Sequence, residues 1–245
     1  MHLEYTKSIH ALETGLKAGR VLCLATDTLY GLIADATNDS AVSKILSLKM
    51  RNQNKGLPIF FTSKKQAEKF LDFNQNASVI ASRFWPGALS IILPIKALIN
   101  GGKEGGKKAL SKFVYGNRDN NAKSASNLTP PITVAARIPD NILIRYLSKH
   151  TPLVATSANL SGRENITSYE ELDQQLADQL KNETTVCNER ILCYKAKNPA
   201  ATDEAIERIS QSTIISFSNA TNPTNTICIH RLGHVPIKNI CDTLT

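Results

Sequence analysis

Short runs of β-forming residues alternate with helix-period segments along this chain, and that alternation narrows the fold more than any other feature. "RVLCLAT" (20–26), "LPIFFTS" (57–63), "ALSIILPI" (88–95), "ITVAARIP" (132–139) and "PLVATSA" (152–158) read as strands. Helix signals fall between them. Ser8 caps a predicted helix that runs to Lys17–Ala18 and stops at Gly19. "DSAVSKILSLK" (39–49) has apolar residues at helical spacing, with Asp39 or Ser40 as its cap. Further helices are predicted from about Lys64 to Leu71, around 76–84, from an Asp140 cap to about His150, and over 168–180. The end of the chain is β-like again, in "STIISFS" (212–218) and "NTICIHRL" (225–232), with no helix between. These elements predict an α/β fold: an open twisted sheet, mixed parallel and antiparallel, with flanking helices.

The chain has 245 residues, 42% of them hydrophobic, enough to bury a core in one large α/β domain or in two small ones. We expect a single domain over 1–245, with 236–245 as a tail. The net charge of +8 suits phosphate-bearing partners, as it also suits many soluble enzymes. Half of that charge sits in "NGGKEGGKKALSKFVYGNRDNNAKSASN" (100–127), which carries six Lys/Arg and two acids, 6 − 2 = 4. This Gly/Asn/Lys-rich segment is too long for a tidy connection and reads as a flexible basic insertion, either simply solvated or a flap over a phosphate ligand or RNA.

The five cysteines form no Cys-x-x-Cys pair and have no zinc-finger His offset, which argues against a metal–thiolate site and suits a reducing compartment. The first residues lack the apolar core of a signal peptide, and no apolar run is long enough to span a bilayer. A cytoplasmic protein with no membrane partner is expected.

Four stretches carry chemistry. In "CLATDTLYGLIAD" (23–35), read as one extended run, Thr26, Thr28 and Tyr30 share one side. They fit a polar ligand floor or an edge strand with Thr/Tyr cross-strand pairs. Gly31 would let a ligand or another backbone come close. In "LKMRNQNKGLP" (48–58), Lys49, Arg51 and Lys55 cluster where the helical pattern ends. Cations there complement the helix dipole, and they could equally clamp a polyphosphate. In "VATSANLSG" (154–162), Ser157 and Asn159 end an apolar strand, the usual place of ligands in open α/β sheets and also of plain turns. Trp85 in "RFWPGALS" (83–90) reads as a packing anchor. Arg137, isolated in an apolar strand, needs an anion: an internal carboxylate or a ligand.

Taken in order, Thr-Asp-Thr-Leu-Tyr-Gly-Leu, Lys-x-Arg, Phe-Trp-Pro-Gly, Arg-x-Pro and Ser-Ala-Asn-x-Ser-Gly make a chain that resembles the YrdC/TsaC family, the threonylcarbamoyl-AMP synthases. Ser212-Thr213 and Arg231-Leu-Gly extend the resemblance, which runs from about 8 to 235. The chain departs from the family pattern at Ala25 and Asp27, where Pro and Glu are usual, at Gly56, and in the long 100–127 segment. It resembles the short form without an extra C-terminal domain.

The resemblance implies that L-threonine, bicarbonate and ATP give threonylcarbamoyl-AMP and pyrophosphate, and that a threonylcarbamoyl transferase complex then modifies an adenosine beside the tRNA anticodon. It implies Lys49 and Arg51 as catalytic residues. Lys49, Arg51, Lys55, Ser157, Asn159, Arg137, Ser212 and Arg231 are then expected at the nucleotide. Thr26, Thr28, Tyr30 and Ser157 are expected at threonine. Mg2+ is expected with ATP rather than in a protein cage. The alternatives are an RNA-binding module (tRNA or rRNA) without synthase activity, and a carbamoyl-adenylate-binding maturation module of the same fold.

Overall fold

The computed structural model describes residues 2–49, 56–96, 109–115, 132–159, 166, 170–171, 174–175, 190–194, 211–217 and 226–244. Among these, ten strands form one sheet: β1 (His2–Thr6), β2 (Leu22–Ala25), β3 (Tyr30–Asp35), β4 (Ile59–Phe60), β5 (Leu89–Pro94), β6 (Thr133–Arg137), β7 (Leu153–Ser157), β8 (Arg190–Tyr194), β9 (Thr213–Phe217) and β10 (Ile227–Arg231). Their order is β1-β8-β2-β3-β7-β4-β6-β5-β9-β10. The sheet is mixed. β1, β8 and β2 run parallel, as do β4 with β6 and β5 with β9, while the other neighbours are antiparallel.

Helices cover both faces. They are α1 (Ile9–Lys17), α2 (Asp39–Leu48), α3 (Lys64–Ala67), α4 (Gln75–Phe84), α5 (Ile142–Leu147) and α6 (Ile237–Cys241). Strand alternation explains how one apolar run serves two cores. Leu22 and Leu24 pack with Leu12, Leu16, Ile144 and Leu147 of α1 and α5. Cys23, between them, faces the cluster that holds Ile45 of α2 and Ile80 of α4.

Local chemistry sets the helix ends. Ser8 Oγ accepts from Ala11 N at 3.3 Å, and Gly19 stops α1 at φ +71°, where a side chain would be strained. Two expected caps fall on a neighbouring asparagine instead. Asn38, not Asp39 or Ser40, caps α2 through Ala41 N at 3.1 Å, and Asp39 becomes first-turn acid favoured by the dipole. Asn141, not Asp140, caps α5 through Ile144 N at 3.0 Å. In each case the cap oxygen has to reach the N–H three residues on, and only Asn38 and Asn141 sit at that offset from the first turn. The helix predicted to Leu71 ends at Ala67, since Leu71 pairs with Ile95 as an extended bridge. Most of the helix predicted over 168–180 lies outside the described residues, as does the part of the 100–127 segment on either side of 109–115.

Residues 109–115 differ from the flexible insertion expected of them. Leu110, Ser111 and Val114 are buried, and Lys112–Tyr115 forms a 3-10 turn. Ser111 N donates to Ala36 O at 2.8 Å, and Leu57 N donates to Val114 O at 2.9 Å. The apolar residues Leu110, Phe113 and Val114 account for this: within a polar segment they have a core to join. Beyond 235 the chain is helical over α6, with Ile240 fully buried. Among the described residues no helix is long and apolar enough to cross a membrane.

Candidate active site

The stretch 23–35 is not one strand. β2 and β3 pair antiparallel, with Ala25 opposite Tyr30, and 26–29 is the turn between them. Thr26 builds that turn. Its hydroxyl donates to Leu29 O at 2.7 Å and accepts from Thr28 N at 2.9 Å and Leu29 N at 3.1 Å. One donor and two lone pairs are thereby used. Thr28 Oγ1 lies 3.1 Å from Thr26 Oγ1 and accepts from Arg137 Nη1 at 3.1 Å, so, with Thr26 already saturated, its own proton can serve a ligand. The polar run inside an apolar sequence is a turn that faces a cavity. Gly31 leaves room for the turn: a Cβ there would press on the Thr26 side chain at Cγ2, 3.3 Å away, and meet Thr156 O at 3.4 Å.

That cavity, about 1120 Å³, lies over the sheet from β3 to β10. Thr26, Thr28, Tyr30, Lys49, Arg137, Ser157, Asn159, Ser212 and Arg231 all line it. The structure thus brings together nine of the eleven residues singled out from sequence. The other two, Arg51 and Lys55, lie outside the described residues. Tyr30 and Asn159 are mostly buried in the wall, at 7% and 8% exposure.

Lys49 is the C-cap of α2 and is 5% exposed. Its ammonium donates to Ser157 O at 2.8 Å, to Asn159 O, and to Asn159 Oδ1 at 3.5 Å. Two motifs more than a hundred residues apart therefore meet at the end of β7. A buried ammonium with three directed donors needs such acceptors. The price is fixed geometry, which suits a positioned point charge.

Arg137 has the internal carboxylate that was one of its two expected partners. Its Nη2 lies 2.5 Å from Asp27 Oδ1, an ion pair by distance that lacks hydrogen-bond alignment. Nε donates to Gly87 O at 2.8 Å, and the guanidinium stacks 5.6 Å from the Phe60 ring. Burial pulls the Arg137 pKa down and Asp27 opposes it. Asp27 Oδ2 also accepts from Asp140 N at 2.8 Å. Asp27 thereby ties the β2–β3 turn to β6 and to the start of α5.

At the far end, Arg231 Nε donates to Ser212 O and Nη2 to Ser212 Oγ, each at 2.8 Å, and Ser212 meets Ser90 at 3.1 Å. Trp85 packs edge-on to Phe73 and donates to Leu89 O at 2.7 Å, an anchor away from the cavity. Sequence reasoning missed Tyr115 and His230, which also line the cavity. An aromatic residue inside a polar insertion was a signal for Tyr115; nothing in the sequence marked the bulge at His230. Among the described residues, no group of three or more His, Cys, Asp or Glu could hold a metal ion.

The family model described as telomere recombination, which groups Sua5, YciO and YrdC, matches residues 14–110 and 112–191. The chain belongs to the Sua5/YciO/YrdC family. One relative is a Methanocaldococcus jannaschii protein provisionally named a threonylcarbamoyl-AMP synthase, 35% identical over 71% of this chain and 70% of its own length. Another is the threonylcarbamoyl-AMP synthase of Vibrio vulnificus, 29% identical over 67% of this chain and 78% of its own. Among solved structures, P. abyssi Sua5 complexed with L-threonine superposes with a TM-score of 0.71 at 22% identity. That match covers 100% of this chain, which spans 61% of the Sua5 chain. The Sua5 likeness establishes the fold: the mixed open sheet expected from sequence is the family's sheet.

Proposed function

We infer that this chain is an L-threonylcarbamoyl-AMP synthase. Family membership and synthase relatives on both sides of 30% identity support the reading. The observation that carries it is the buried Lys49 ammonium held on Ser157 and Asn159 at the wall of a cavity large enough for ATP and an amino acid.

In this reading the amino group of threonine and bicarbonate give a carbamate with loss of water, and a carbamate oxygen attacks the α-phosphorus of ATP. A P–O bond forms, the bond to the β-phosphate oxygen breaks, and pyrophosphate leaves. The nucleophile belongs to the substrate, so the site's task is to orient two anions and offset their charge. Lys49 supplies a fixed positive charge at the β7 end, joined by Arg51 and Lys55 at the triphosphate. Thr28, with a proton to spare, and Tyr30 and Ser157 shape the threonine end; Thr26 acts by holding the turn. Ser212 and Arg231 hold the nucleotide side. Arg137, ion-paired with Asp27, acts as a positioning residue that orients Thr28.

Among the described residues no Asp or Glu lines the cavity, and Asp27, between the lining residues Thr26 and Thr28, is committed to Arg137 and Asp140, so the wall fits a metal carried in by phosphate oxygens. Mg2+ bound to ATP would neutralise charge on those oxygens. The product would pass to a threonylcarbamoyl transferase complex acting on tRNA in the cytoplasm. The test is a reaction with labelled bicarbonate, read by mass spectrometry. A threonyl-carbamoyl adenylate that carries the label supports the assignment, and its absence from folded, ATP-binding protein rejects it.

A further inference from the structure

β10 carries a bulge on the cavity side. Ile229 pairs with Ile215 and Arg231 with Ile214, so two residues of β10 cover one step of β9. In a regular strand His230 and Arg231 would point to opposite faces. Here both line the cavity. Arg231 is fixed on Ser212. His230 is held separately, with Nε2 at 2.8 Å from Ser216 Oγ. Among the described residues Nδ1 has no hydrogen-bond partner. An imidazole with one nitrogen fixed and the other open is oriented for a ligand.

The surface beside it says which part of a ligand. Ser216 pairs with Ile92, and Ile92 with Ala135, across β9, β5 and β6. Ile92, Ala135 and Ile214 all line the cavity, so an apolar floor separates His230 from the Lys49 end. Four strand steps separate β7 from β9. At about 4.8 Å each they cover about 19 Å, the scale of an extended nucleoside triphosphate. With the phosphates at the cationic Lys49 end, the floor takes the nucleoside, and the base reaches the imidazole.

We propose that His230 reads the nucleobase of the substrate nucleotide, hydrogen-bonding the adenine edge through Nδ1. This rests on the synthase reading for the identity of the nucleotide. In the tautomer whose Nε2–H donates to Ser216 Oγ, Nδ1 is an acceptor for the adenine amino group. Adenine offers both an amino donor and ring-nitrogen acceptors, where guanine places a carbonyl acceptor at the amino position. Ser216 is the positioning residue of the pair.

The experiment is calorimetric titration of the full chain with Mg-ATP and with Mg-GTP, alongside steady-state pyrophosphate release. His230→Ala should weaken ATP binding at least about fivefold, the loss of one hydrogen bond. GTP binding should change less, and KM for ATP should rise more than kcat falls. His230→Gln, whose amide can still pair, should bind ATP better than His230→Ala. Equal ATP affinity in wild type and His230→Ala overturns the proposal, as does an equal loss for ATP and GTP. Wild-type protein that binds no ATP overturns both this inference and the synthase reading. His230-dependent ATP binding without threonine-dependent turnover overturns the synthase reading alone.

Discussion

Asp27 in the β2–β3 turn and Arg137 at the end of β6 meet 2.5 Å apart, with side-chain exposures of 11% and 3%. The pair joins the turn to the middle of the sheet, and Thr28 hangs from the same guanidinium. Asp27→Ala strands a buried cation, so we expect a loss of about 3–5 kcal/mol by denaturant unfolding. Restoring reach with Asp27→Glu should leave most of the stability. If Asp27→Ala unfolds at the wild-type midpoint, the pair is not structural.

Lys49→Ala should lower turnover about tenfold or more, equivalent to about 1.4 kcal/mol. It should also cost about 1–3 kcal/mol of stability, because Ser157 O and Asn159 O lose their donor. Lys49→Arg should not rescue it, since a planar fork cannot replace a compact ammonium there. Arg51→Ala is expected to lower turnover as strongly; kinetics on both variants at matched folded fraction decide it.

Leu110→Ala should destabilise by roughly 2–5 kcal/mol, the usual cost of a buried leucine. Deleting 109–115 should do at least as much. A flexible, merely solvated insertion would tolerate both changes, and thermal unfolding distinguishes the two.

Tyr115 is pushed up to about 12, first by burial and then by Asp39. A folded-state value above the unfolded one means stability that is intact below about 10 and lost as pH rises from there through about 12. Tyr115→Phe should flatten that alkaline loss. Equal slopes for the two proteins across the window would contradict it.

A Cβ at Gly233 would lie 2.1 Å from Gln211 O and 2.5 Å from Ser212 C. Gly233→Ala must therefore move the backbone that holds Arg231. It should raise KM for ATP more than KM for threonine. Equal changes would place the effect elsewhere.

The sheet's central strands were legible because their apolar runs are buried on both faces, as at Leu22–Ala25 and Leu89–Pro94. β1 and β8 were not, because their strand character depends on pairing in parallel across about 190 positions of chain. The turn at 26–29 hid inside an extended-looking run, since Thr26 replaces ladder bonds with side-chain bonds to its own neighbours. Most of the site could be read from Lys49, Ser157 and Asn159, whose polarity is out of place beside apolar neighbours. Asp27 as Arg137's partner could not be read, because the pairing is tertiary. His230 could not be read either, because only the bulge brings it to the cavity.

The most direct test is pyrophosphate release from Mg-ATP and bicarbonate by the purified chain, with L-threonine, with L-serine, and with neither. The expected result is release that requires threonine and is not supported by serine at equal concentration. Release indifferent to threonine, or none from folded protein that binds ATP, would contradict the synthase assignment.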